Sequence, residues 1–241
     1  MILWFLGLTV IGLYLSFIMM KRSSLRSTLI AVFGIGVVGS LLLITLNDNA
    51  HFGMVKRTTI DEQTIYTASP NAQLPMLLKQ NIGTDGKHVV YIYKTDPKKK
   101  AVHTKADIVV TNRVTTTANA TASLTSKTTR WQYQNGFYGA LFNHEGAGQL
   151  VAQHNQLVIP TSWSVLTTAQ AKQLGKKLAA LQQPTAEQKA SLAAAVKAKA
   201  AALAKADPKL AADPTALAKQ AKAAVEQAMI QQAVREVQAQ K

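Results

Sequence analysis

Two stretches at the front of the chain contain no charged side chain: Met1 to Met20, MILWFLGLTVIGLYLSFIMM, and Ser27 to Leu46, STLIAVFGIGVVGSLLLITL. Each has about the length at which a helix rising 1.5 Å per residue crosses a bilayer core. Lipid offers the backbone no hydrogen-bond partner, so an inserted run of this kind must be helical. Between them lies KRSSLR, residues 21–26, with Lys21, Arg22, Arg26 and no acid. Short basic connectors stay in the cytoplasm. The sequence therefore predicts an N-terminal two-helix transmembrane hairpin over residues 1–46, with spans at about 1–20 and 27–46. The protein would sit in the cell membrane with both termini extracytoplasmic. A signal sequence is the competing reading. The first run lacks a basic n-region, and Asp48 disfavours cleavage after Ala50.

Gly34, Gly36 and Gly39 spell a dinucleotide-binding fingerprint by letter. That motif needs a preceding strand and a soluble helix, and here the glycines lie inside a lipid-length apolar run. Gly36 and Ser40 read instead as a small-xxx-small pair for close helix packing. The partner is either the first helix, where Gly7 and Gly12 offer a face, or another membrane protein. Neither run carries an ionisable residue in its core, which argues against a channel or proton relay built from this chain alone.

Residues 47–165 read as a small, antiparallel β-rich extracytoplasmic domain. HVVYIYK, 88–94, mixes β-branched and aromatic residues between Asp85-Gly86 and Asp96-Pro97. DIVVTNRVTTT, 107–117, is a second strand, and Lys98, Lys99 and Lys100 suit an exposed hairpin tip between the two. In WQYQNGFYGALF, 131–142, Asn135-Gly136 predicts a hairpin turn, because type I′ turns need positive φ at both central positions. LVIP, 157–160, reads as a last strand ended by Pro160. A shorter strand is expected over Met54 to Ile60 or Thr64 to Thr67, and LPMLLKQNI, 74–82, fits a short helix or a strand.

Composition changes near Thr167. From there to Lys241 there is no aromatic residue, and 18 of the 41 residues from Pro184 to Ala224 are alanine, so residues 166–241 read as an Ala/Lys-rich helical tail. Thr185 with Gln188 forms a capping-box pattern. Asp207-Pro208 and Asp213-Pro214 each place an N-cap acid before a proline at the first helical position. The apolar faces are weak: Leu192, Val196 and Leu203 share a stripe with Lys199. Such helices are expected to pack loosely, to pair with a partner or to stand off as solvated rods, and not to enter the core of the β segment. The fold class is thus a membrane-anchored α+β protein.

The chain has no cysteine, which excludes disulfide scaffolds, cysteine zinc sites and thiol nucleophiles. Its formal net charge is +15, most of it beyond the hairpin. Polyanion contact is therefore open to Lys98, Lys99, Lys100, Lys176, Lys177, Lys197 and Lys199, with anionic wall polymer or lipid as the ligand. Nucleic acid is not expected as a partner, since the tail lies outside and lacks aromatic stacking platforms. Catalytic chemistry is thin. Asp61 and Glu62 are adjacent and face opposite sides of a strand; no GxSxG or HExxH appears. His144, Glu145 and His154 make a metal site only if the fold converges them. No catalytic, cofactor-binding or metal-binding residue is assigned, and no cofactor is implied.

The apolar hairpin followed by VKRTTIDEQTIYTASP, LLKQNIGTDGKHVVYIYKT and TRWQYQNGFYGALF resembles the DUF4811 family, a domain-of-unknown-function family of lactic-acid-bacterial membrane proteins. The resemblance covers residues 1 to about 165 and leaves the tail as a variable extension. It implies a Gram-positive cell envelope and companionship with efflux transporters of the major facilitator type; it brings no activity and no site residues. The expectation is an uncharacterised, non-enzymatic accessory or interaction module at the envelope, beside a transporter. The alternatives are polyanion binding by the basic tail and an envelope-acting hydrolase using His144, Glu145 and His154.

Overall fold

The computed structural model describes residues 1–69, 74–83, 88–206 and 212–239. Asp85-Gly86 and Asp207-Pro208 lie outside them. The protein is α+β, and its chain divides into two compact units that interleave in sequence. The first holds Met1–Gln63, Asp107–Thr115 and Ser123–Val158; the second holds Thr64–Ala106, Thr116–Ala122 and Ile159–Lys241.

The first unit opens with α1 (Ile2–Ile18) and α2 (Ser24–Ala50). With 27 residues, α2 extends about 40 Å and is long and apolar enough to cross a membrane; α1 is apolar but shorter, at 17 residues. The Ser23 side chain caps α2 by accepting the Arg26 N–H at 3.3 Å. Arg26 turns back onto the end of α1. Its Nη2 donates to the Phe17 carbonyl at 2.8 Å and its Nε to that of Ser16 at 3.3 Å, so one guanidinium satisfies two terminal carbonyls. At the far end His51 takes a left-handed conformation with φ 54°, and the Phe52 N–H closes on the Leu46 carbonyl at 3.1 Å.

Beyond α2 come β1 (Met54–Ile65), then, later in the chain, β5 (Val110–Thr117), β6 (Ala122–Tyr133), the short helix α3 (Gly136–Leu141) and β7 (Leu150–Pro160). The strands form a sheet in the order β1-β6-β7-β5. Strands β6 and β7 are antiparallel, with Lys127 opposite His154 and a register shift between Thr129 and Arg130. A buried polar ladder crosses this sheet. Asn155 donates to Asn112 Oδ1 at 2.8 Å and accepts from Ser126 Oγ at 2.8 Å and Gln153 Nε2 at 2.9 Å, which offsets the cost of burying its amide.

The second unit carries β2 (Met76–Ile82), β3 (His88–Tyr93), β4 (Val102–His103) and β8 (Ser164–Thr167), in the order β4-β3-β2-β8. The β2–β3 and β3–β4 pairs are antiparallel; β2–β8 is parallel. Among the described residues three helices follow: α4 (Thr168–Gln182), α5 (Ala186–Ala206) and α6 (Pro214–Ala239). Leu174 of α4 and Ala233, Val234 and Val237 of α6 bury themselves against Leu74, Met76 and Leu166.

Several expectations are corrected. Asn135-Gly136 is no hairpin turn. Asn135 has φ −153°, extended, and its side chain accepts the Tyr138 N–H as the N-cap of α3, the other conformation in which asparagine is at home. Lys98, Lys99 and Lys100 do lie in an exposed loop, but that loop joins β3 to β4, a two-residue strand too short to show a sequence period. Residues 76–82 are strand, and β1 runs unbroken for 12 residues where a shorter strand was expected. The chain continues past Pro160 into β8. The tail does not stand apart from β structure: α4 and α6 complete the core of the second unit, since a four-residue strand such as β8 buries its apolar side chains only when helices cover them.

Candidate functional site

The most distinctive surface of the molecule belongs to α1 and α2. The residues α1 buries are Ile2, Thr9 and Ser16, and those α2 buries are Ser40 and Asn47. All recur at seven-residue spacing, which puts them on one side of each helix. Gly36 and Gly12 let the helices close. A Cβ on Gly36 would stand 2.7 Å from Thr9 Cγ2, and one on Gly12 would stand 2.6 Å from the Phe33 ring. Ser16 and Ser40 return their hydroxyls to the carbonyls of Gly12 and Gly36, both at 2.7 Å. Large apolar side chains point the other way: Trp4 is 85% exposed and Ile35 73%, whereas Thr9 is 4% and Ser40 2%. The order of a soluble helix pair, with apolar side chains inside and polar ones outside, is reversed.

Not every small residue faces the seam. A Cβ on Gly7, Gly34 or Gly39 would meet nothing within 4 Å. Of the two glycines expected to receive α2, only Gly12 does so. Gly39 lines an apolar groove of about 400 Å³ with Phe5, Leu43, Phe137 and Leu141, where α3 lies beside the two long helices. The Met1 ammonium donates to the carbonyls of Ala140 (2.9 Å) and Leu141 (3.1 Å), a cation at the negative end of α3.

An aromatic collar follows the end of α2. His51 stacks on Trp131 with centroids 4.2 Å apart, and the Lys56 ammonium stands 5.1 Å from the Trp131 ring centroid. Phe52 meets Tyr138 edge-on, and Tyr133 stacks on Phe142. The Tyr133 hydroxyl lies 3.1 Å from Asn47 Oδ1 and 2.7 Å from the Glu145 carbonyl. Burial pushes the Tyr133 phenol above its ordinary range, against a lowering by the Asn47 hydrogen bond, and the Glu145 carboxylate pushes it up further.

The residues expected to do chemistry are scattered. His144 lies against Gly139 and meets Tyr133 edge-on; His154 is on β7, opposite Lys127. Among the described residues no three His, Asp or Glu side chains gather closely enough to hold a metal ion, so His144, Glu145 and His154 do not converge. Lys98, Lys99 and Lys100 are exposed beyond the Asp96 turn, where Asp96 Oδ1 accepts the Lys98 N–H at 2.8 Å. Lys176 is exposed on α4, and Lys177 is paired with Glu236 of α6 at 2.7 Å. Lys197 and Lys199 are exposed on α5. The lysines of the second unit thus divide between loop, ion pair and open helix surface.

Sequence reasoning missed the collar and, beyond Gly12, Gly36 and Ser40, the polar side chains of the seam. The second had a readable signal, the seven-residue recurrence of polar residues at 9 and 16 and at 40 and 47 among apolar neighbours.

An apolar N-terminal helix of membrane-crossing length followed by two largely antiparallel sheets defines the class of protein. Residues 22–174, more than half of the chain, match the family described as a domain of unknown function, DUF4811, and the protein belongs to that family. Neither a curated protein nor a solved structure matches it.

Proposed function

We propose that this is a non-enzymatic integral membrane protein whose α1 and α2 form a transmembrane hairpin, with the basic connector at residues 21–26 in the cytoplasm and the β structure displayed outside. The reading rests on one observation: α1 and α2 turn small and polar side chains toward each other and most of their large apolar ones outward. Water would penalise that arrangement at about 25 cal/mol for each Å² of apolar surface left wet, whereas lipid would not. The aromatic collar suits the headgroup level, where rings with one polar edge accumulate. The hairpin is an interaction module for another membrane protein, such as a transporter, and Gly34 and Gly39 are the small residues left open for a helix from outside.

The cysteine-free chain permits a direct test. Ser24→Cys in the connector and Ala118→Cys in the β segment are each exposed to a membrane-impermeant maleimide in intact cells. Labelling is expected at position 118 and, only after permeabilisation, at 24. The opposite pattern would reverse the topology, and extraction of the protein by alkaline carbonate would end the membrane reading. For the partner, Gly39→Leu should lose a co-purifying membrane protein in mild detergent while leaving α1 against α2.

A second reading, contact with anionic wall polymer or lipid, is favoured by the exposure of Lys98, Lys99, Lys100, Lys197 and Lys199. It predicts binding to envelope fragments that weakens steeply with salt.

A further inference from the structure

Helix α5 has no buried residue, although it carries Leu192 and Val196. Together with Ala193 and Ala200, and Ala218 of α6, these side chains floor an apolar groove of about 520 Å³ between the two helices. Lys189, Lys197 and Lys222 form its rim. On α5 the lining residues fall within about 140° of the helix wheel, a single face. Among the described residues that line the groove none is acidic; Glu226 stands 3.9 Å from the Lys222 ammonium one turn along α6.

An apolar floor ringed by ammonium groups fits a ligand that is apolar in the middle and anionic at its edge. We propose that the α5–α6 face docks on the surface of an anionic lipid leaflet, with Leu192 and Val196 entering the acyl boundary and Lys189, Lys197 and Lys222 reaching the headgroup phosphates. A second copy of the chain is disfavoured, because mating two such faces sets lysine rims against each other. A soluble polyanion would satisfy the lysines and leave the floor in water. Alanine-rich helices bury little area, so the contact is weak by itself. It becomes appreciable because a membrane anchor supplies an effective concentration in the millimolar range. The inference therefore rests on the transmembrane reading of α1 and α2.

The test uses the full-length protein in nanodiscs, with Ala193→Cys carrying an environment-sensitive fluorophore. One set of discs is phosphatidylcholine; the other includes a minority of phosphatidylglycerol. Docking predicts a blue shift and reduced quenching by aqueous iodide in the anionic discs only. Lys189→Gln, Lys197→Gln or Lys222→Gln should each weaken docking about fivefold. Leu192→Gln with Val196→Gln should abolish the shift, circular dichroism confirming retained helix. An unshifted label on protein that stays in the disc through alkaline carbonate would overturn the inference and leave the membrane anchor standing. Release of the protein by carbonate would take down both. A shift that survives the Leu192 and Val196 changes, or that inorganic polyphosphate reproduces without lipid, would mean charge attraction alone. A shift that depends on protein concentration would mean a second copy. Either would overturn the proposal.

Discussion

The helices of the first unit and those of the second solve opposite problems. In α1 and α2 the contact is made chiefly by glycine, serine and threonine, with the Phe33 ring seated on Gly12, and most leucines and isoleucines and Trp4 face outward. In α4 and α6 the contact is made by leucine and valine, and lysine, glutamine and glutamate face outward. One chain thus contains both solutions to helix packing. Where surroundings reward apolar exposure, close backbone approach holds helices together; where water expels apolar surface, burial does. The direction in which the large side chains point, more than the content of apolar residues, tells the two apart.

The sharpest way to break this contrast is to truncate one apolar residue of each kind. Leu174→Ala in the second unit should cost about 2–5 kcal/mol, read from hydrogen-exchange protection of α4 and β8, whereas Ile35→Ala in α2 should cost less than about 0.5 kcal/mol in detergent. Equal losses would mean that the outer face of α2 is packed. Next in size is Gly36→Leu. Its side chain would collide with Thr9, and overpacking of this kind costs about 1–3 kcal/mol, seen as a lower melting temperature and lost amide protection in α1. The same change at Gly34, which faces open space, should leave α1 in place.

Two pH experiments sharpen the comparison with smaller effects. The raised pKa of Tyr133 means that the folded first unit holds its phenolic proton longer than the unfolded chain does. Its contribution is complete below the unfolded value near 10 and is lost as pH rises through the folded one. Tyr91 and Tyr93 in the second unit are raised by burial in the same sense, so Tyr133→Phe, monitored through protection of β6 and α3, isolates the collar. In the second unit, hydrogen bonds from Lys177 and Gln232 and the Lys177 charge hold the exposed Glu236 carboxyl below 4.5. That pairing is present above the ordinary value and is lost as pH falls through the folded one. Lys177→Met should raise the Glu236 midpoint in a carboxylate titration followed by NMR; an unmoved midpoint would show the ion pair to be idle.

What the sequence discloses follows the same division. Local signals carry through: the apolar runs are helical, Thr185 and Gln188 exchange backbone contacts at 2.9 and 3.3 Å, and Asp213 accepts the N–H groups of Thr215 and Ala216 ahead of α6. The cap at Thr167 and Gln170 was equally legible, since it repeats the Thr-x-x-Gln pattern. What stays hidden depends on partners distant in sequence. Leu166 is in contact with a core that includes residues 67 to 71 positions later, and nothing local marks Val234 or Val237 as its cover. Asn135-Gly136 misleads for the converse reason: asparagine serves both a turn and a helix start, and the surrounding fold decides between them. The collar assembles His51 with Trp131 and Asn47 with Tyr133, pairings more than 75 positions apart that no periodicity encodes.

The stretch shared with the family ends at position 174, yet the residues that roof Leu166 and Leu174 come from 233 to 237. A nonsense mutation late in the reading frame would therefore strip the lid from an otherwise complete sheet. Kin lacking this terminal helix must seal the same apolar patch by another route, either with an unrelated segment or by borrowing a neighbour's surface.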